Sequence, residues 1–315
     1  MKYVGLQSQI WKNNTRSLIL LVMFPVVFYV LAWLFLFFTA DPEFKDPAVV
    51  SGHFLRLVPW ITIGVGLWFL IAWFSHSAMI NAATGSRPLE RKENKRVYNL
   101  VENLAITAGM KMPKVNVIED DSLNAFASGI GSSTFTISLS RGIVDKLNDE
   151  ELEGVIAHEL THIRNRDVRL LIISVIFVGI FAFIAEAMLR SLRYGSLGRS
   201  SGGKKGSGGA GILIALALAL VGYLLASLFR FAISRKREYM ADAGAAYLTK
   251  KPVALASALR KVSRDPVIEA VKRRDVAQMF IENPQLEDKK KGSFFASMFA
   301  THPSIKSRIE ILEQF

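Results

Sequence analysis

Four long, nearly uncharged apolar segments limit what this chain can fold into. They cover residues 18–38, 60–80, 170–189 and 212–233. Each is about twenty residues long and, at about 1.5 Å of rise per residue, spans roughly one hydrocarbon thickness as a helix. Helices buried in a soluble core seldom run this far with so little charge, so the segments predict four transmembrane helices. The first does not read as a cleaved leader. Its apolar run is too long, and no small-residue cleavage site follows before Asp41.

The net charge of +12 would suit nucleic acid, but its placement suits a bilayer. Lys2, Lys12 and Arg16 precede the first segment, Arg87, Arg91, Lys92, Lys95 and Arg96 follow the second, and Arg230, Arg235, Lys236 and Arg237 close the fourth. Basic residues at span ends set orientation and meet anionic headgroups. No RNA-binding or DNA-reading motif accompanies them, so membrane lipids are expected partners and nucleic acid is not. The loop 39–59 carries Asp41, Glu43 and Asp46 against Lys45 and Arg56. Charge bias therefore puts the N-terminus and residues 81–169 in the cytoplasm. Residues 190–211 conflict with a full crossing of the last hairpin, because they hold Arg190, Arg193, Arg199, Lys204 and Lys205 and no acid. Their Gly/Ser-rich stretch GSLGRSSGGKKGSGGAG predicts a mobile loop and a candidate for self-cleavage.

This pattern divides the chain into membrane pieces 1–80 and 170–233 and non-membrane pieces 81–169 and 234–315. With no cysteine, disulfides, thiolate ligands and a Cys nucleophile are excluded, so His and carboxylates must hold any metal. In residues 81–169 a polar helix is expected from about Pro88 to Ala108, ended by Gly109. A strand starts at Lys114, and NAFASG and TFTISLS read as an antiparallel pair joined by a turn at 129–133. Asn148 or Asp149 caps the next helix, with Glu150, Glu151 and Glu153 at its positive end. Residues 234–315 read as helical, with breaks at Pro252, Pro266, Pro284 and Pro303.

That next helix holds GVIAHELTHIRNRD, which contains two of the chain's five histidines. His158 and His162, four apart, share a helix face and can both reach one ion at about 2.0–2.1 Å. Glu159 points to the adjacent flank, where it can accept the proton of a water attacking a carbonyl. A catalytic zinc takes three protein ligands and keeps one position open. His53, in the outward loop, and His76, inside the second segment, are poorly placed to be the third. No Gly or Pro interrupts residues 155–178, so the His helix is expected to run straight into the third segment. His162 would then stand about 12 Å along the axis from residue 170, and Glu238 about 8 Å beyond residue 233. The stretch SRKREYMADAGA thus brings Glu238 and Asp242, also four apart, to the height of the histidines. One can ligate the ion and the other can hydrogen-bond a ligand histidine.

HELTH followed by RNRD, EYMAD after the fourth segment, THPSIKSRI near the C-terminus and the paired N-terminal segments resemble the HtpX-type integral membrane zinc metallopeptidases. These are relatives of the CAAX prenyl protease. The resemblance implies an α-rich membrane protein: four transmembrane helices plus an α+β zincin (gluzincin) catalytic domain with a small antiparallel sheet. It implies one Zn²⁺ held by His158, His162 and Glu238, with Glu159 as general base and acid and Asp242 supporting a ligand from behind. It also implies a multi-pass protein of the bacterial inner membrane. Its site would face the cytoplasm and act in quality control on unfolded or misassembled membrane proteins. His302 has two readings, an oxyanion-stabilising imidazole and a surface helix cap, and the resemblance favours the first. Arg308 is a candidate partner for Asp242 or another acid. Asp167 reads either as a partner of a ligand histidine or as a plain helix-end residue. Asn124, Ala125, Phe126 and Ala127 read either as an edge strand that pairs with extended substrate or as an internal strand. Two rival functions are a prenyl-peptide (CAAX-type) protease and a non-catalytic membrane holdase or scaffold with a structural zinc. The first would need a chamber built from more spans, and the second a fourth protein ligand.

Overall fold

The computed structural model describes residues 6–193, 207–231, 236–264 and 303–314. His302 and most of the Gly/Ser-rich loop, two objects of the sequence reading, lie outside them. In chain order the elements are helices α1 (Leu6–Thr39) and α2 (Pro47–Thr84), strand β1 (Ser86–Pro88), helix α3 (Lys95–Thr107), strands β2 (Lys114–Ile118), β3 (Ala125–Ser128) and β4 (Thr136–Ser140), then helices α4 (Arg141–Lys146), α5 (Asp149–Arg164), α6 (Asp167–Arg193), α7 (Ser207–Phe231), α8 (Lys236–Thr249), α9 (Pro252–Val262) and α10 (Ile305–Leu312). They gather into two units. One draws on residues 17–74 and 173–230, the other on residues 1–16, 75–172 and 231–315.

Three helical stretches among the described residues are long and apolar enough to cross a membrane: Trp11–Thr39, Pro47–Thr84 and Asp167–Arg190. Only 11% and 6% of the apolar windows of the first two are buried, against 56% in the third. A water-facing surface of that kind would be costly, whereas hydrocarbon accommodates it. Within the first unit, aromatic stacking joins α1 to α6, with Phe24 on Phe177 at 3.9 Å and Phe28 on Phe181 at 4.9 Å between ring centroids. Residues 212–231 of the fourth apolar segment lie in α7, whose apolar stretch over the described residues, Gly211–Leu225, is shorter. α7 starts at Ser207, so the last residues of the expected loop are helical.

The other unit is built on a four-stranded sheet of order β1-β2-β4-β3. β3 is antiparallel to β4, as the hairpin pattern predicts, and β1 is antiparallel to β2, but β2 and β4 run parallel. The sheet is therefore mixed, not antiparallel. The chain leaves β2, comes back along the far edge as β3, and returns as β4 in the gap between them. β4 is thereby central, and all of Thr136–Ser140 is buried, polar residues included. The Ser/Thr alternation of TISLS does not reveal this, because sequence does not show that both faces are covered.

α3 starts later than expected. Residues 86–88 pair with β2 as β1, and the Asn94 side chain caps the helix by accepting the Val97 N–H at 3.0 Å. Val97, Val101, Leu104 and Ala105 bury one face at helical spacing. Gly109, at φ +64, ends it in a conformation that favours glycine.

Asn148 caps α5, and Glu151 completes a capping box by accepting the Asn148 N–H. The Glu151 carboxylate also accepts from the Ser257 hydroxyl at 2.7 Å and Lys261 Nζ at 2.6 Å, which ties α5 to α9. The expected straight helix over 155–178 is broken. α5 ends at Arg164, and Arg166 takes φ +61, which costs a non-glycine residue roughly 1–2 kcal/mol. What offsets that cost lies at the metal centre.

Candidate metal centre

Close approach of α5 and α8 creates the centre. On α8, Glu238, Ala241, Asp242 and Ala245 follow helical spacing along one face, and both alanines are fully buried. Gly244 is required at the crossing, because a Cβ there would stand 2.4 Å from Thr161 Cγ2 and 2.8 Å from Thr161 Oγ1. The small residues let α8 carry its two acids against the histidine face of α5.

The Nε2 atoms of His158 and His162 lie 3.2 Å apart. Glu238 completes a triangle, with Oε1 3.5 Å from His162 Nε2 and Oε2 3.6 Å from His158 Nε2. Donors about 2.0–2.1 Å from a tetrahedral ion sit roughly 3.3–3.4 Å from one another, so these separations fit one such ion. Among the described residues this is the one His/Asp/Glu group with ligand atoms clustered for a metal. His53 and His76 are not part of it.

Each imidazole turns its other nitrogen to a carboxylate. His158 Nδ1 lies 3.0 Å from Asp242 Oδ1, and His162 Nδ1 lies 3.0 Å from Asp167 Oδ2. That pairing favours Nδ1–H on both rings and leaves both Nε2 lone pairs directed at the common point. Asp242 in turn accepts from Arg308, at 2.9 Å from Nε and 2.7 Å from Nη2. Arg308 is wholly buried, and its Nη1 lies 3.5 Å from Glu238 Oε2. The terminal helix α10 thus braces both acids of α8.

Burial pushes the His158 imidazole down, but the carboxylates of Asp242 and Glu238 more than offset this against the opposing Arg308 charge and hold it at about 9. Burial also pushes Asp242 up, yet the Arg308 charge and the bonds to His158 and Arg308 hold it below the usual carboxylate range. Glu159 moves the other way. It is 2% exposed, and burial, with Glu238 adding to it, lifts it above that range despite the two imidazoles and the Ala127 N–H.

The Ala127 N–H that reaches Glu159 belongs to β3, an edge strand of the sheet. Asn124 and Phe126 are wholly buried. The Asn124 carbonyl accepts the Ser140 N–H at 3.0 Å, and its side-chain oxygen accepts the Ala125 N–H at 3.0 Å. What this strand offers a ligand is therefore main chain, not side chain.

Asp167, ambiguous in sequence, touches His162, one of the three residues whose atoms could hold an ion. Two of its neighbours escaped the sequence reading. Asn13 Nδ2 lies 2.7 Å from Asp167 Oδ1, and Arg237 Nη1 lies 3.4 Å from the same oxygen. The one sequence hint is that Asn13 is a polar residue just before an apolar run, a signal too common to single it out.

Residues 91–315 match Peptidase family M48. The chain belongs to that family. The Protease HtpX homolog of Bacteroides fragilis is 58% identical over 322 residues, covering the whole of both chains. The homologue from Dictyoglomus turgidum is 39% identical over 259 residues, 79% of this chain and 81% of that one. The crystal structure of S. mikatae Ste24p is similar at a TM-score of 0.48 and 20% identity, covering 96% of this chain and 66% of that one. This M48 peptidase is accordingly an HtpX-type membrane metalloprotease, which removes the non-catalytic scaffold from consideration.

Proposed function

We propose that the enzyme is a zinc endopeptidase of the bacterial inner membrane that cleaves unfolded or damaged membrane proteins at the cytoplasmic face. The observation that carries the chemistry is the triangle of His158 Nε2, His162 Nε2 and a Glu238 carboxylate, with both Nδ1 atoms committed to acids. These three residues would hold the zinc, and a set of three protein donors leaves a fourth position open. When bound, zinc supplies Lewis-acid chemistry, acidifying water and polarising the scissile carbonyl.

Glu159 accepts the proton of the attacking water and delivers it to the leaving amine nitrogen. Its raised proton affinity suits a group that must both take and give. The outer edge of β3, beside Glu159, pairs with the extended main chain of the substrate, which competes there with Asn124 Oδ1 for the Ala125 N–H and with Glu159 for the Ala127 N–H. Such pairing is indifferent to sequence, which suits unfolded targets. Asp242, Asp167 and Arg308 hold the ligands in place, and His302 is assigned to the oxyanion.

The same reading makes residues 1–80 and 170–233 the anchor, with α7 as a fourth span, and residues 81–169 and 234–315 the cytoplasmic enzyme. Positive charge at the span ends supports the orientation. The loop 190–211 is then a candidate for self-cleavage.

Glu159→Gln tests the chemistry in purified protein. Zinc content should match wild type while cleavage of an unfolded substrate falls about 10²- to 10⁴-fold. Undiminished cleavage would remove Glu159 from the mechanism.

A further inference from the structure

We infer that Asn13, on the first helix, is a positioning residue for the metal centre, acting through Asp167 on His162. The inference rests on the zinc reading above. Asn13 is wholly buried, although it stands only five positions before the first apolar segment. Its Nδ2 donates in two directions, to the Asn165 carbonyl at 2.8 Å and to Asp167 Oδ1 at 2.7 Å. A side-chain amide has two N–H bonds, one for each acceptor.

The two acceptors flank the break between α5 and α6. Asn165 is the residue that closes α5, and its carbonyl belongs to the set that a helix end leaves without an intrahelical donor. Asp167 is the first residue of α6. Between them Arg166 sits at φ +61. The Asn13 amide therefore staples both sides of a strained junction.

The junction serves the centre. His162 and Asp167 are five residues apart, a spacing that places their side chains on different faces of an unbroken helix. The turn at Arg166 swings the Asp167 carboxylate back so that Oδ2 meets His162 Nδ1 at 3.0 Å. Oδ1 takes the Asn13 amide at 2.7 Å, with Arg237 at 3.4 Å. Asn13 thus fixes which oxygen of Asp167 faces the imidazole and where it stands. In effect the N-terminal helix is a structural part of the peptidase and not only an anchor for it.

Side chains behind a metal ligand typically change metal affinity by about 10- to 100-fold when lost. Asn13 is one step further out, so the expected loss lies near the lower figure. The test uses the full-length protein in detergent, with zinc affinity measured by competition against a chromophoric chelator. Asn13→Ala should weaken zinc binding about tenfold. Asn13→Asp, which keeps the volume but turns an oxygen toward two oxygens, should weaken it at least as much. In an Asp167→Ala background Asn13→Ala should have almost no further effect, because the group it orients is gone. A cobalt-loaded Asn13→Ala protein should show a visible absorption spectrum displaced from that of wild type.

Zinc affinity of Asn13→Ala within twofold of wild type would overturn the inference. So would an undiminished loss in the Asp167→Ala background, which would mean that Asn13 acts through general packing. If Asn13→Ala does not fold, the near-isosteric Asn13→Asp carries the same comparison. Wild type should bind one zinc and His158→Ala should lose it. Failure there sinks the metal reading itself, whereas a flat Asn13 series beside a zinc-binding wild type sinks only the role of Asn13.

Discussion

His158 and His162 present the same ring from the same helix face, yet different ends of the chain brace them. Behind His158 stand Asp242 and the wholly buried Arg308, a two-bond guanidinium–carboxylate pair drawn from the C-terminal part. Behind His162 stand Asp167 and Asn13, an amide–carboxylate contact drawn from the N-terminal helix, with Arg237 at the longer distance of 3.4 Å. The His158 side chain is fully buried and that of His162 is 13% exposed. Charge sealed from water is costly unless paired, so the deeper ligand needs the stronger brace. His162, nearer solvent, is braced through Asp167 by a neutral amide at 2.7 Å and a guanidinium at the longer 3.4 Å.

The largest expected effect comes from cutting the deeper brace. Arg308→Leu leaves the buried Asp242 without its guanidinium, and losing one member of a buried pair costs about 3–5 kcal/mol. Chemical denaturation of the purified protein should show that loss. Arg237→Leu should cost less than Arg308→Leu, since its contact to Asp167 is long at 3.4 Å and Asn13 still holds Asp167. Equal losses would erase the contrast between the two sides.

Next in size is the effect on metal. Asp242→Asn should lower zinc affinity toward the 100-fold end of the usual range and Asp167→Asn toward the tenfold end, as read by chelator competition. The reverse ranking would make the more exposed histidine the tighter ligand.

Much of this centre was readable in the sequence, because helix periodicity turns spacing into geometry. His158 with His162, and Glu238 with Asp242, each lie four apart, so each pair shares a face whatever the rest of the fold does. Arg308 was legible only as a partner for an acid, Asp242 or another, and the structure pairs it with Asp242. Asn13 against Asp167 was not legible, since the pair is separated by 154 positions and an amide announces no partner. The break at Arg166 was missed because no Gly or Pro marks it. A φ of +61 at Arg166 is not a conformation that a non-glycine residue prefers, so its own identity gives no signal of the break. Strand order was likewise hidden. Alternation identified β3 and β4, but nothing local says that β4 slots between β2 and β3.

A smaller effect tests how α8 reaches α5. Gly244→Ala places a methyl against Thr161, whose hydroxyl is bound to the Ala157 carbonyl at 2.8 Å and whose branched side chain has little freedom in a helix. Overpacking of this kind costs about 1–3 kcal/mol. Because α8 supplies Glu238 and the brace of His158, zinc affinity should fall with stability. A stable Gly244→Ala protein with full zinc affinity would show that the helices tolerate a wider crossing.

The smallest effect supplies the control that separates stability from metal binding. Asn148→Ala removes the cap and half of the capping box at the start of α5, and losing such a cap costs about 1 kcal/mol. The cap stands ten residues before His158, nearly three turns away, and touches neither brace. Thermal or denaturant stability should therefore drop while zinc affinity, and the difference between Asp242→Asn and Asp167→Asn, stay as they were. If Asn148→Ala weakens zinc binding as much as Asp167→Asn does, then affinity here follows the rigidity of α5 as a whole. The contrast between the two braces would then be one of position, not of chemistry.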